Sequence, residues 1–196
     1  MMRVLRTMLL ASCMLSGAAV QATPFTIDNA HTSAHFAVSH FDRSTLRGRF
    51  DKIAGQIDFD ETRHTGSVDI RIDAGGIETR LRVLNDVLKS EQFFDVEKFP
   101  DMRFQSNRFE FDGERLRSLA GTLTIRGVSQ PLQLTATRFL CGEVKLMVLR
   151  RHVCGGDFHA TVKRSAYGMQ RFLPDVGDTV DIFISIEATP TAQLDK

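Results

Sequence analysis

The sequence predicts a mainly β protein, an antiparallel barrel or sandwich of about eight strands with one short α-helix. Three observations carry that prediction. Apolar and polar residues alternate with period two through most of the chain, the pattern of strands with one dry and one wet face. Turn-forming residues punctuate the alternation at Asp60-Glu61, Asp112-Gly113, Gly127 and Gly142. A single segment has helical spacing, and no run of βαβ units suggests a doubly wound sheet.

The first 22 residues stand apart from this pattern. Arg3 and Arg6 give a positive start, Met8 to Val20 is apolar or small, and Val20-Gln21-Ala22 offers a cleavage site. This is the form of a secretory signal peptide, which puts the folded domain at residues 23–196. The apolar run is short of the ~20 residues a membrane span needs. A second option is Leu10-Ala11-Ser12-Cys13, which resembles a bacterial lipobox and would make Cys13 a lipidated N-terminus. A signal peptide would place the mature chain outside the cytoplasm.

Strands follow in order. Ala34, Phe36 and Val38 alternate with His35, Ala37 and Ser39. A second strand is predicted near 47–59. Val68, Ile70 and Ile72 share one face of a third, and a fourth lies near 101–111. Leu123 and Ile125 alternate with Thr122, Thr124 and Arg126, and Leu132, Leu134 and Ala136 continue after the Gly127 turn. The last two fall near 156–164 and over 180–186, where Val180, Ile182, Ile184 and Ile186 share a face. The helical segment runs from Thr79, a candidate N-cap, to Leu88, with Leu81, Leu84 and Leu88 on one side. Ser90 is the candidate cap of a further turn through Phe93 and Phe94. A short amphipathic helix in such a chain covers an end or an edge of the sheet.

A closed sheet of eight strands encloses space that side chains fill or that holds one small ligand. Both uses need the same apolar inner face, so alternation does not choose between them. The aromatic content is 15 Phe, one Tyr and no Trp. Phe has no hydrogen-bonding group to satisfy, which suits a dry interior.

Removing residues 1–22 leaves 23 Lys and Arg against 24 Asp and Glu, a net charge of −1. No basic field is available for nucleic acid. Cys141 and Cys154, with twelve residues between them, remain. In an oxidising compartment they suggest a disulfide across a hairpin, with two unpaired buried thiols as the alternative. The sequence lacks G-x-S-x-G, Walker A, G-x-G-x-x-G and H-E-x-x-H motifs, and no catalytic residue is assigned. His31 and His35 would lie about 13 Å apart along a strand, too far to share one metal ion with bonds of about 2 Å. No metal or cofactor is predicted.

Several segments together resemble the YceI-like proteins. They are Asp28-Asn29-Ala30-His31-Thr32-Ser33-Ala34-His35-Phe36-Ala37-Val38-Ser39-His40, Leu88-Lys89-Ser90-Glu91-Gln92-Phe93-Phe94-Asp95 with Lys98-Phe99-Pro100, Gly121-Thr122-Leu123-Thr124-Ile125-Arg126-Gly127-Val128, Lys163-Arg164-Ser165-Ala166-Tyr167-Gly168-Met169, and Val176-Gly177-Asp178-Thr179-Val180. The resemblance runs from about Pro24 to Thr189. It implies a lipocalin-like barrel partly covered by helix, often periplasmic, binding an isoprenoid or other amphiphilic lipid without metal or established catalysis. The chain departs from the family where Leu84-Asn85 replaces Arg-Asp, where Tyr167 replaces Phe, and where Asp157-Phe158-His159-Ala160 replaces a small apolar lead-in. The cysteine pair resembles that of a cysteine-bearing subset.

The resulting expectation is a periplasmic lipid-binding protein that stores or transports a long apolar chain, whether isoprenoid, quinone-like or fatty amphiphile. The candidate lining is Phe36, Val38, Val68, Ile70, Ile72, Phe104, Leu123, Ile125, Leu134, Phe158 and Ile184, with Leu81, Leu84, Leu88, Phe93 and Phe94 beneath the helix. Arg164 is the candidate head-group contact. Two alternatives are an enzyme acting on a lipid or quinone-like substrate and a solid-core structural or stress-associated protein. A homodimer is compatible with each.

Overall fold

The computed structural model describes residues 22–146 and 148–194. The signal-peptide segment and Cys13 lie outside them. Eleven strand segments alternate with short turns: β1 (Thr23–Ile27), β2 (Ser33–His40), β3 (Ser44–Phe50), β4 (Ile53–Asp60), β5 (Thr65–Asp73), β6 (Ile77–Thr79), β7 (Asp101–Asp112), β8 (Arg115–Ile125), β9 (Val128–Leu146), β10 (Leu149–Lys163) and β11 (Val176–Pro190). One α-helix, α1 (Arg82–Lys89), joins β6 to β7.

The segments make eight staves. β1 and β2 lie end to end along β11, with Ile27 opposite Ala188 and Ser33 opposite Ser185. β3 and β4 form the second stave, facing β2 and β1 respectively. β5 and β6 form the third, interrupted by a tight turn at Ala74–Gly76. From β7 to β11 each stave is unbroken, and neighbours in sequence pair antiparallel. Pairing of β1 and β2 with β11 closes the ring, so the sheet has a lipocalin-like up-and-down order. At the break in the first stave, buried Thr32 accepts a hydrogen bond from the Glu187 amide, 3.2 Å. The neighbouring Asp28 amide donates to the Glu187 carbonyl at 2.9 Å. Backbone groups that the bend would strand are thereby paired.

Turn chemistry explains most reversals. Asp60 Oδ1 accepts from the amides of Thr62 and Arg63, an Asx-type turn that ends β4. Arg126 and Gly127 both have positive φ, 52° and 72°, as a two-residue hairpin between β8 and β9 requires. Gly142 differs from expectation. It lies inside β9, opposite Val153, because the β9–β10 hairpin continues well past it. Cys141 and Cys154 face each other across that hairpin and are disulfide-bonded, Cα–Cα 4.0 Å.

The helix also starts later than its spacing suggested. Thr79 ends β6, and Leu81 holds the N-cap position without a side-chain cap. Thr79 instead uses its amide and Oγ1 to donate to Asn85 Oδ1, at 2.8 and 2.6 Å, which ties the helix to β6. Ser90 caps no new helix. Its Oγ donates back to the Val87 carbonyl at 2.7 Å, and residues 91–94 form turns. The barrel therefore has two unlike ends. The turn end carries the 61–64 and 113–114 reversals, and the helix end carries the β2–β3 tip, α1 and the 164–175 connection.

Candidate ligand cavity

Alternation sends one face of every stave inward, and above the turn end the inward faces do not meet. They surround a cavity of about 430 Å³. Phe36, Val38, Val68, Ile70, Ile72, Phe104, Leu123, Ile125, Leu134, Phe158 and Ile184 all line it. Leu84, Leu88, Phe93 and Phe94 line it from the helix end, as does Arg164. Leu81 does not: it is 65% exposed at the N-cap. A helix beginning at Arg82 turns Leu84, Val87 and Leu88 toward the cavity, the i, i+3, i+4 set. Val87 was legible on that same period once the start was known. The lining also includes Phe50, Phe59, Leu119 and Phe172, which the sequence reading left out.

Two phenylalanines show how the interior stays open. Phe36 lies opposite Gly48, and a Cβ on that glycine would stand 2.4 Å from the Phe36 ring. The ring therefore rests on bare backbone instead of standing across the axis. Phe104 rests near Gly121 in the same way, 2.8 Å from such a Cβ. At the turn end the rings pack on one another. Phe59 stacks with Phe109 and Phe111, centroids 5.4 and 6.2 Å away, and meets Phe139 edge-on at 5.7 Å. This cluster and the disulfide form a floor.

Arg164 is buried, 6% exposed, yet its hydrogen bonds go to protein. Nε, Nη1 and Nη2 donate to the carbonyls of Gly177, Met169 and Val176 at 2.8, 2.6 and 2.8 Å. Its guanidinium lies 6.0 Å from the Phe93 ring centre. Burial pulls its pKa below the ordinary arginine value, against the attraction of Asp178. Arg164 thus clamps the 164–177 connection over the cavity. Asp178 supports the clamp by accepting from the Ser165 amide and Oγ, both at 2.8 Å. Burial also pushes the phenol of Tyr167 up.

Among the described residues, no aspartate or glutamate lines the cavity, and its titratable members are His35, His40 and Arg164. His31 pairs with Asp28 outside it at 2.9 Å. Glu61, His152, Cys141 and Cys154 cluster within 4.8 Å at the turn end. The two sulfurs are bonded to each other there, which leaves a hydrogen bond between His152 Nε2 and Glu61 Oε1 at 2.7 Å.

Known proteins share this fold and sequence pattern. The model of the YceI-like domain matches residues 25–188. The chain belongs to the YceI-like family. A UPF0312 protein of Shewanella denitrificans is 30% identical over 131 residues, 65% of this chain and 69% of that one. The crystal structure of Burkholderia cenocepacia BcnA shares the fold with a TM-score of 0.69 at 22% identity, covering 83% of this chain and 99% of BcnA. A polyisoprenoid-binding domain from Saccharophagus degradans, implicated in plant cell wall breakdown, has a TM-score of 0.63 at 16% identity, covering 86% and 99%. Within this YceI-like chain, Asn85 is the residue that anchors the helix to β6.

Proposed function

We propose that this protein is a carrier that holds a long apolar chain, isoprenoid, quinone-like or fatty, inside its barrel for storage or transport in the periplasm. The observation that carries the reading is the continuous apolar cavity. Its size, about 430 Å³, falls in the ~300–1,000 Å³ range of ligand pockets. Left empty, an apolar void of that size costs on the order of 10 kcal/mol at about 24 cal/mol per Å³, comparable with the ~5–15 kcal/mol net stability of a whole domain. A guest removes that cost and gains roughly 25 cal/mol for each Å² of its own surface taken from water. Among the described residues the wall is apolar almost throughout and carries no carboxylate, which favours binding, and we assign no catalytic step. The Saccharophagus domain, of the same fold, is described as polyisoprenoid-binding. The bonded cysteines and the N-terminal sequence support an oxidising, exported location.

The test is organic extraction of natively exported protein followed by mass spectrometry. One long-chain amphiphile per protein chain is the expected result. Repeated recovery of none, from protein that folds normally, overturns the reading.

A further inference from the structure

We propose that the helix end of the barrel docks on the surface of a phospholipid bilayer containing anionic lipid, and that the guest enters and leaves there. This rests on the carrier reading and adds its partner. Phe41, at the β2–β3 tip, and Phe172, in the 164–175 connection, both belong to the cavity wall. Both are also about half exposed, 52% and 48%. Elsewhere in the lining a phenylalanine is covered by its neighbours; these two face the guest on one side and water on the other. Each has positive φ, 54° and 62°, a conformation that costs a bulky residue of order 1–3 kcal/mol and collects at functional sites. The two loops form one rim. The Phe41 amide donates to the Asp175 carbonyl at 2.6 Å, and the Phe172 ring lies 6.2 Å from that of Phe93 beneath the helix.

The same end exposes Leu81 and Val83 at the start of α1, 65% and 77%. Arginines interleave with these apolar side chains in the sequence: Arg80-Leu81-Arg82-Val83, Phe41-Asp42-Arg43 and Arg171-Phe172. The guanidinium of Arg171 sits 4.7 Å from the Phe172 ring centre. None of these four arginines is in an ion pair among the described residues. Aromatic and aliphatic side chains that enter the acyl boundary, with arginines beside them at phosphate depth, are the chemistry of an interfacial contact. Asp42, Asp86 and Asp175 lie at this end too, so apolar insertion carries most of the contact and charge adds the preference for anionic lipid. Docking this rim on a bilayer lets the guest pass between two apolar phases without crossing water, which the carrier reading requires and a protein partner would not supply.

The chain has no tryptophan, so one introduced ring reports its own surroundings. Phe172→Trp and Phe41→Trp are expected to shift their emission to the blue when vesicles of phosphatidylglycerol and phosphatidylethanolamine are added, with a smaller shift for phosphatidylcholine alone. Leu140→Trp, exposed on the β9–β10 hairpin toward the other end, is expected not to respond. No shift at the rim, or an equal shift at position 140, overturns the docking surface; equal shifts with both vesicle types overturn its anionic preference. Lipid content by extraction of the same variants separates the two ideas, because a variant that still carries lipid while ignoring vesicles removes the docking and leaves the carrier standing.

Discussion

The two ends of the barrel use the same amino acid for opposite purposes. At the turn end, Phe59, Phe109, Phe111 and Phe139 pack ring on ring, and His64 stacks on Phe111 at 4.1 Å. The disulfide braces that end, worth about 3 kcal/mol in the chain-entropy model for a loop of this length. Toward the helix end, Phe36 and Phe50 meet at 5.9 Å, Phe50 and Phe94 at 5.6 Å, and the rings form walls around space. The inward pattern of the strands is identical at both ends. What differs is what each ring lies against: other rings in one case, the bare backbone of a glycine such as Gly48 in the other. One end is a packed core and the other a container, and they should respond differently to the same kind of change.

The largest expected difference comes from removing a ring of the floor. Phe59→Ala leaves a hole in a close-packed cluster, and it is expected to lower unfolding free energy by about 3–5 kcal/mol, read from urea unfolding. Lipid recovered per folded chain is expected to stay the same, because the guest occupies the space above. A loss of lipid without a loss of stability would show that Phe59 serves the guest and not the packing of the floor.

That contrast marks where sequence reading ran out. Alternation located the inward face of the staves, and eleven candidate strand residues from Phe36 to Ile184 all reach the cavity. Whether they would leave room was not local information, since Phe36 and Phe59 each face a glycine across the register, Gly48 and Gly66, and only the closed fold brings Phe109, Phe111 and Phe139 against the second. The breaks at 28–32 and 74–76 were hidden for a related reason. Each depends on pairing with a distant strand, as when Thr32 meets Glu187. Of the helix face, Leu84 and Leu88 reach the cavity and Leu81 was misplaced by the start: Thr79 is a sound cap by type, but Asn85 captures it as an acceptor from within the helix. Arg164 lines the cavity, and its use on three backbone carbonyls required the folded 164–177 connection.

A smaller effect on stability, with a large one on the guest, is expected from filling the container. Ile184 lines the cavity and is only partly buried. In a solid core, Ile184→Trp would overpack and cost about 1–3 kcal/mol. In a hollow barrel the larger ring moves into vacant volume, so stability is expected to change by less than about 1 kcal/mol while extracted lipid falls to a small fraction of the wild-type amount. A heavily destabilised variant that keeps its lipid would mean the space around Ile184 is not where the guest lies.

The smallest expected effect tests the lid of the container through pH. Burial disfavours the Asp178 carboxylate, but the two hydrogen bonds from Ser165, with Lys163 and Arg164 nearby, outweigh it and hold its pKa below the ordinary value. A carboxyl depressed on folding contributes stability that is fully present above its unfolded pKa, about 4, and is lost as pH falls through the lower folded value. Acid therefore loosens the Ser165–Asp178 contact that helps to hold the connection bearing Phe172, with the floor untouched by this group. Asp178→Asn removes the titration. The variant is expected to be less stable than wild type at neutral pH, with the two unfolding midpoints converging below about pH 4, and to release bound lipid faster than wild type at neutral pH only. Midpoints that stay equally separated across the acid range would mean that Asp178 does not govern how the open end answers protons.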